Sequence, residues 1–305
     1  MNRADESGFN PARSLAPGRL LDRVSIEATP KQILGGEDSL SLVPDGAPVY
    51  VPHLPGRPLA ESVAACRSIV AQGLEPTPHL PARTVKHAAE LADILAQFAD
   101  AGAKRLLLIA GDGSKPAGAF SSTLDVLDTG LLEASGIKSI GFAGHPQGHP
   151  VVEVDVLDRA IGAKAEWAAK TGAEIWLVTQ FLFDADPFIQ WDARLRSLGV
   201  ALPVYAGVPG PAKVRSLLSF AMACGVSASA RMLRARPGAM RLAGRWTPDA
   251  LVDDLERFYV EQTDRLLAGV HFYPFGGLAV TAEWLRRAQT ARAEQMAEHA
   301  APPLV

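Results

Sequence analysis

The chain is poor in cysteine, with two thiols, Cys66 and Cys224, in 305 residues. Both sit in apolar stretches of helical spacing, Val63-Ala-Ala-Cys66 and Phe220-Ala-Met-Ala-Cys224, where a thiol acts as a small hydrophobe. A disulfide framework is thereby excluded. Excess charge of one sign is also missing. Thirty Lys and Arg against thirty-three Asp and Glu leave a formal charge of -3 and a pI near 6.2. That balance gives no electrostatic reason to expect nucleic acid or an anionic membrane surface as partner. No apolar run approaches the ~18 residues that a membrane span needs. Residues 1–20 mix Arg3, Asp5, Glu6, Arg13 and Arg19 with Pro11 and Pro17 and lack the apolar core of a signal peptide. Small-molecule partners and a cytoplasmic location are the expectation.

What is present is a large apolar fraction, 48%, enough to bury a sizeable core. Short runs of strand type occur at Val24–Ala28, Val49–Leu54, Glu75–Leu80, Arg105–Gly111, Ser139–Gly144, Glu174–Gln180, Pro203–Val208 and Gly269–Phe275. Between them lie stretches of helical apolar spacing: Leu59–Gln72, Thr84–Ala101, Thr123–Ser135, Asp155–Thr171, Pro187–Leu198, Ala212–Cys224 and Thr247–Leu267, with a last at Val280–Ala297. Gly73, Gly102, Gly136, Gly172, Gly199 and Gly225 follow six of these helices as left-handed caps. Lys31–Asp45 has little helical pattern, so the first helix is expected to be short or broken. Eight such units closed on themselves make an α/β fold, a (β/α)8 TIM barrel. The expectation is one barrel domain over 21–298, with a flexible extension over 1–20, a tail over 299–305 and an insertion before the last strand.

In such a barrel the reactive groups stand at the carboxyl ends of the strands. The most informative stretch is Leu177-Val-Thr-Gln-Phe-Leu-Phe-Asp184, an apolar strand that ends in the polar pair Thr179-Gln180. Elsewhere the strand ends offer Glu27, His53, His79, Asp112, His145 with His149, and His271 with Tyr273. Alternation turns Glu27 to the side of Ser25, toward the barrel axis. A carboxyl desolvated there has a raised pKa and can act as an acid near neutral pH; the bland alternative is a buried carboxylate paired to an arginine. Asp112 follows an apolar strand and Gly111, where the backbone can approach a ligand closely, or else it caps the next turn. His145-Pro-Gln-Gly-His149 has poor spacing for a metal pair and no adjacent carboxylate, which leaves ligand hydrogen bonding or loop structure.

With Glu27, Asp112 and Gln180 placed, the chain resembles the methylenetetrahydrofolate reductase family from about Val24 to Ala288. The most specific piece is Thr179-Gln-Phe-Leu-Phe-Asp-Ala-Asp-Pro-Phe188. Leu198-Gly-Val-Ala-Leu-Pro-Val-Tyr-Ala-Gly-Val208, Phe220-Ala-Met-Ala-Cys-Gly225, Pro78-His-Leu80, Ala110-Gly-Asp112, Gly144-His-Pro-Gln-Gly-His-Pro150 and Val270-His-Phe-Tyr273 support it. The resemblance implies a barrel that carries FAD, takes a tetrahydrofolate derivative as substrate and draws hydride from NADH or NADPH. It implies that Glu27 protonates the folate nitrogen and opens the ring to an iminium cation. Asp112 would stabilise cationic character on the pterin, and Gln180 would orient the ring for hydride transfer. His79, Gly111, Asp112, His145, His149 and Lys164 would hold the flavin.

The departures are specific. Relatives usually carry an arginine where this chain has Ala110, and basic residues on the helix after strand five where it has Glu166 and Trp167. Lys115 or Lys164 is left to meet the flavin phosphates. A stacking aromatic becomes Val214, a basic contact to the folate tail becomes Gly276-Gly277, and strand two ends in Pro52-His53-Leu54-Pro55.

The alternatives are a flavin-independent, nicotinamide-dependent reductase on the same barrel, and a barrel hydrolase with His53, His79, His145 and Asp112 around Zn²⁺. A third is a barrel that only senses a folate or flavin. A homo-oligomer stays open. Arg231–Arg245, with five arginines, is expected to be a solvated loop, with a lid over an anionic ligand as the alternative.

Overall fold

A computed structural model describes residues 19–35, 40–54, 56–111, 115–223 and 244–300. In chain order the strands are β1 (Val24–Glu27), β2 (Val49–Val51), β3 (Pro76–Pro81), β4 (Arg105–Ile109), β5 (Ser139–Gly144), β6 (Glu174–Phe181), β7 (Val204–Pro209), β8 (Ala212–Lys213), β9 (Arg245–Trp246) and β10 (Leu267–Tyr273). Eight of them close into a parallel barrel in the order β1-β10-β7-β6-β5-β4-β3-β2, as the alternating pattern predicts. The pair β8–β9 forms a separate antiparallel ribbon.

The helices are α1 (Pro30–Leu34), α2 (Leu59–Ala71), α3 (Ala88–Asp100), α4 (Thr123–Leu127), α5 (Leu131–Ala134), α6 (Val154–Thr171), α7 (Asp186–Ser197), α8 (Val214–Ala223), α9 (Asp249–Glu261) and α10 (Leu278–Ala300). The weak first unit is a five-residue helix, started by the Thr29 side chain and Pro30 at its first turn. Gly73, Gly102, Gly136, Gly172 and Gly199 all have positive φ, so these expected helix stops are present. Gly225 lies outside the described residues, as do most of the arginine-rich stretch and nearly all of the terminal segments.

Several boundaries differ from the sequence pattern. The helix expected over Thr84–Ala101 starts only at Ala88, because Pro81–Thr84 holds a strand end and a 3-10 turn and the His87 side chain accepts from the Glu90 amide. The one expected over Thr123–Ser135 is two short helices, split where Gly130 takes a φ of +69°. Ala212 and Lys213 pair with the ribbon before α8 begins, and the segment expected as Thr247–Leu267 ends at Glu261 and gives its last residue to β10. Leu20, which sequence alone assigns to the extension, is fully buried, and its amide donates to Glu256.

Two apolar cores result. The larger lies between strands and helices and includes Val24, Ile26, Leu106, Phe142 and Leu177. The smaller is contributed by five strands, as Tyr50, Leu107, Trp176, Val178, Tyr205 and Ala268, and fills the barrel interior. Alternation along a strand is what sends neighbours to different cores: Leu177 belongs to the outer one, Trp176 and Val178 to the inner. Gly141 is required here, because a Cβ there would sit 2.7 Å from the Trp176 ring.

Candidate active site

On β1, Val24 and Ile26 belong to the outer core, so Ser25 and Glu27 take the inner side. Ser25 Oγ and His271 Nδ1 share a hydrogen bond of 2.8 Å. The His271 ring lies 4.4 Å from Tyr50 and meets Tyr273 edge-on at 4.7 Å. The Tyr50 hydroxyl accepts from the Trp176 indole at 2.9 Å. His79 meets Tyr50 edge-on at 6.0 Å, and its Nε2 lies 3.8 Å from Glu27 Oε2. A column of rings from four strands thus rises through the barrel to a carboxyl at its carboxyl-end mouth.

Burial pushes the Glu27 carboxyl up from 4.5 to about 7. It pushes His79 down to about 3, with nearby His53 adding to the effect. Both shifts favour neutral forms, so an imidazole held neutral faces a carboxyl poised between its protonated and ionised forms near pH 7. A separation of 3.8 Å is too long for a hydrogen bond, and His79 Nε2 is buried with no partner among the described residues. His271 differs from its expected place. It is 1% exposed, inside the barrel and pushed down to about 3 by burial, so it is a strut below the mouth. Attention to strand ends passes over Tyr50 and Trp176, although their place as inner residues of alternating strands is a signal that sequence carries.

Gln180 owes its position to a bulge. Val178 pairs with Tyr205 and Phe181 with Gly207, so β6 spends three residues where β7 spends two. Thr179 locks the irregularity. Its hydroxyl accepts from the Gly207 amide and donates to the Gln180 carbonyl, both at 2.8 Å. Its own carbonyl accepts from the Tyr273 hydroxyl at 2.9 Å. A Cβ on Gly207 would lie 2.5 Å from the Thr179 oxygen and 2.7 Å from the Gln180 oxygen. Because the strands are parallel, Gln180 near the end of β6 and Glu27 at the end of β1 stand on the same rim, with β7 and β10 between them.

Asp112 lies outside the described residues. Gly111 before it has a φ of +87°, and a Cβ there would be 2.8 Å from Pro81, so glycine is required. Beyond β5, His145 and His149 meet edge-on at 5.2 Å, and burial pushes His145 down to about 4. Lys164, on the inner face of α6, is 7% exposed, and its ammonium lies 4.9 Å from the centre of the Phe142 ring. Burial pushes it down to about 8. Lys115 is exposed. A cleft of about 290 Å³ runs along His145, Asp158, Lys164, Gln190, Trp191 and Arg194. Among the described residues, no three His, Cys, Asp or Glu side chains are grouped to hold a metal ion, and no helix is long and apolar enough to cross a membrane.

A closed β/α barrel carries its functional groups at the carboxyl-end mouth, and on that rim this chain places the desolvated Glu27 carboxyl and, at a bulge, Gln180. The family model for methylenetetrahydrofolate reductase matches residues 55–239, more than half of the chain, and the chain belongs to that family. Methylenetetrahydrofolate reductase 2 of Saccharomyces cerevisiae is 24% identical over 160 residues, covering 48% of this chain and 25% of that protein. Methylenetetrahydrofolate reductase 1 of Schizosaccharomyces pombe is 33% identical over 70 residues, covering 23% and 11%. The matched part of the chain therefore spans a quarter or less of these relatives' length. Among solved structures, a dihydropteroate synthase from Thermus thermophilus in complex with 6HMPPP aligns at 12% identity and a TM-score of 0.45, covering 88% of this chain and 94% of that one. Glu27 lies upstream of the family match, whereas His79, Gly111, Asp112, His145, His149, Lys164 and Gln180 lie within it.

Proposed function

We propose that the protein is an oxidoreductase that interconverts 5,10-methylenetetrahydrofolate and 5-methyltetrahydrofolate. The single observation that carries this is the Glu27 carboxyl, desolvated at the barrel mouth and poised near pH 7. A group so tuned is protonated in a substantial fraction of molecules at neutral pH and still gives the proton up in the transition state. Glu27 donates to the folate nitrogen and the five-membered ring opens to an iminium cation. Gln180, its amide without a partner among the described residues, hydrogen-bonds the ring and fixes its orientation. Asp112 is assigned to the cationic pterin by family resemblance.

The residues present fit a flavin. His79 Nε2 is a buried nitrogen at the mouth with no partner among the described residues, and Gly111 keeps a side chain out of a tight approach. His79, Gly111, Asp112, His145 and His149 would hold FAD, which supplies the hydride when bound, with NADH or NADPH as its source. The nicotinamide-direct alternative is favoured by Glu166 and Trp167 where relatives carry basic residues; the Trp167 indole is engaged with Glu133. Anaerobic turnover of methylenetetrahydrofolate with NADH and with NADPH, each with and without added FAD, tests substrate, donor and carrier together. Turnover that needs FAD is expected. Turnover without it would replace the flavin reading by the direct one, and no turnover under any condition would reject the function.

A further inference from the structure

Lys164 is set apart from the other lysines by its surroundings. Every other lysine among the described residues is exposed, whereas Lys164 is 7% exposed and lines the cleft between α6 and α7. Among the described residues its side chain makes neither an ion pair nor a hydrogen bond, and its marked contact is the Phe142 ring at 4.9 Å. The acid on the same lining, Asp158, is held by Arg194, with Nε to Oδ2 at 2.7 Å, and so supplies no counter-charge. Burial without a counter-charge disfavours an ammonium group, and Lys164 is pushed down to about 8. A desolvated amine that sheds its proton near neutral pH has a lone pair free to attack carbonyl carbon.

The cleft decides which carbonyl compounds can reach that amine. Ala143, Val154, Leu157, Ile161 and Trp191 give it apolar walls, and His145, pushed down to about 4 by burial, adds no charge at neutral pH. A volume of about 290 Å³ is at the small end of ligand sites. The fit is to a short alkyl chain ending in a carbonyl group, which gains by leaving water for such walls. An aldehyde is favoured over a ketone, because its carbonyl carbon bears one substituent and is the less hindered.

We propose that Lys164 is a covalent capture site for a small aliphatic aldehyde, which it holds as an imine inside the α6–α7 cleft. The amine lone pair adds to the carbonyl carbon, the carbonyl oxygen takes up a proton from the amine, and the carbinolamine so formed loses water to leave a C=N bond. Nothing is oxidised or reduced, and one water leaves per adduct. The site is separate from the reductase reading, since it needs neither a folate nor a hydride carrier.

Reductive trapping tests it without any turnover. The purified protein is incubated at pH 7.5 with propanal and cyanoborohydride, and N-propyl lysines are located and quantified over time by peptide mass spectrometry. At that pH a lysine titrating near 8 is neutral on the order of a hundred times more often than a lysine side chain in water. Lys164 is therefore expected to label at least tenfold faster than any exposed lysine, with a rate that levels off above about pH 8. In Lys164→Met the fast adduct is expected to vanish while the exposed lysines label at their wild-type rates, which also reports that the variant is folded. Labelling of Lys164 no faster than that of the exposed lysines, or labelling that appears only once the chain is unfolded in urea, overturns the proposal and leaves the reductase reading standing.

Discussion

At the scale of single residues, Glu27, the acid of the proposed reaction, is worse for stability above neutral pH than a neutral side chain would be. Its pKa rises from 4.5 to about 7 on folding, so between those values the native state binds more protons than the unfolded chain. Stability then falls as pH climbs through that window, and the cost is complete above pH 7. Glu27→Gln removes the cost. It is expected to raise the unfolding free energy by on the order of 1–3 kcal/mol at pH 8, to leave it nearly unchanged at pH 4, and to abolish turnover. Urea unfolding at the two pH values, beside an activity assay, checks all three; an equal effect at pH 4 and 8 would mean that the carboxyl is not desolvated. The active wild-type enzyme should lose kcat/KM above about pH 7 in the direction that needs the acid. Glu27 was legible in sequence because alternation over four residues fixes its side. Its neutral neighbour His79 was legible only as a strand-end histidine, since their 3.8 Å approach depends on how β1, β2 and β3 stagger.

At the scale of elements, the bulge in β6 shows what a strand pattern conceals. An apolar run ending in Thr179-Gln180 announces a strand with a polar tip, but its register against β7 is a long-range property. The glycine that permits the bulge lies on the other strand. Gly207→Ala would drive a methyl into the Thr179 and Gln180 carbonyls, neither of which can move without breaking the Thr179 bonds. A loss of about 1–3 kcal/mol is expected, together with a larger fall in kcat than the stability change explains, because Gln180 is displaced. Thr179→Val keeps the shape and leaves the buried Gly207 amide without its acceptor, for a further test at about 1–3 kcal/mol. Denaturant midpoints with kcat measured well below them separate the two effects; a Gly207→Ala protein of unchanged stability and rate would show that the bulge is not what aims Gln180. Helix ends were easier to foresee. Glycine stops are local, whereas the break between α4 and α5 needed the backbone of Gly130 itself.

At the scale of the whole molecule, burial biases histidines in the barrel and beyond β5 toward their neutral forms, and their titration is expected to shape the acid response of the fold. His79 and His271 are pushed from 6.5 down to about 3, and His145 to about 4. The unfolded chain therefore binds more protons than the native one between those values, so their stabilising contribution is complete above about 6.5 and is lost as pH falls. Glu27 works in the opposite sense over 4.5 to about 7, one group against three, and cannot offset them. His271 is the most constrained of the three, held by the Ser25 hydrogen bond and packed against the rings of Tyr50 and Tyr273. The urea midpoint is therefore expected to be lower at pH 5 than at pH 7.5, with unfolding cooperative at both. In Glu27→Gln the same drop should be steeper, because the one group that gains stability on acidification has been removed. A midpoint that holds constant from pH 7.5 to 5, or a Glu27→Gln protein with a shallower acid loss than wild type, would show that the barrel interior is wet and its histidines are free to titrate.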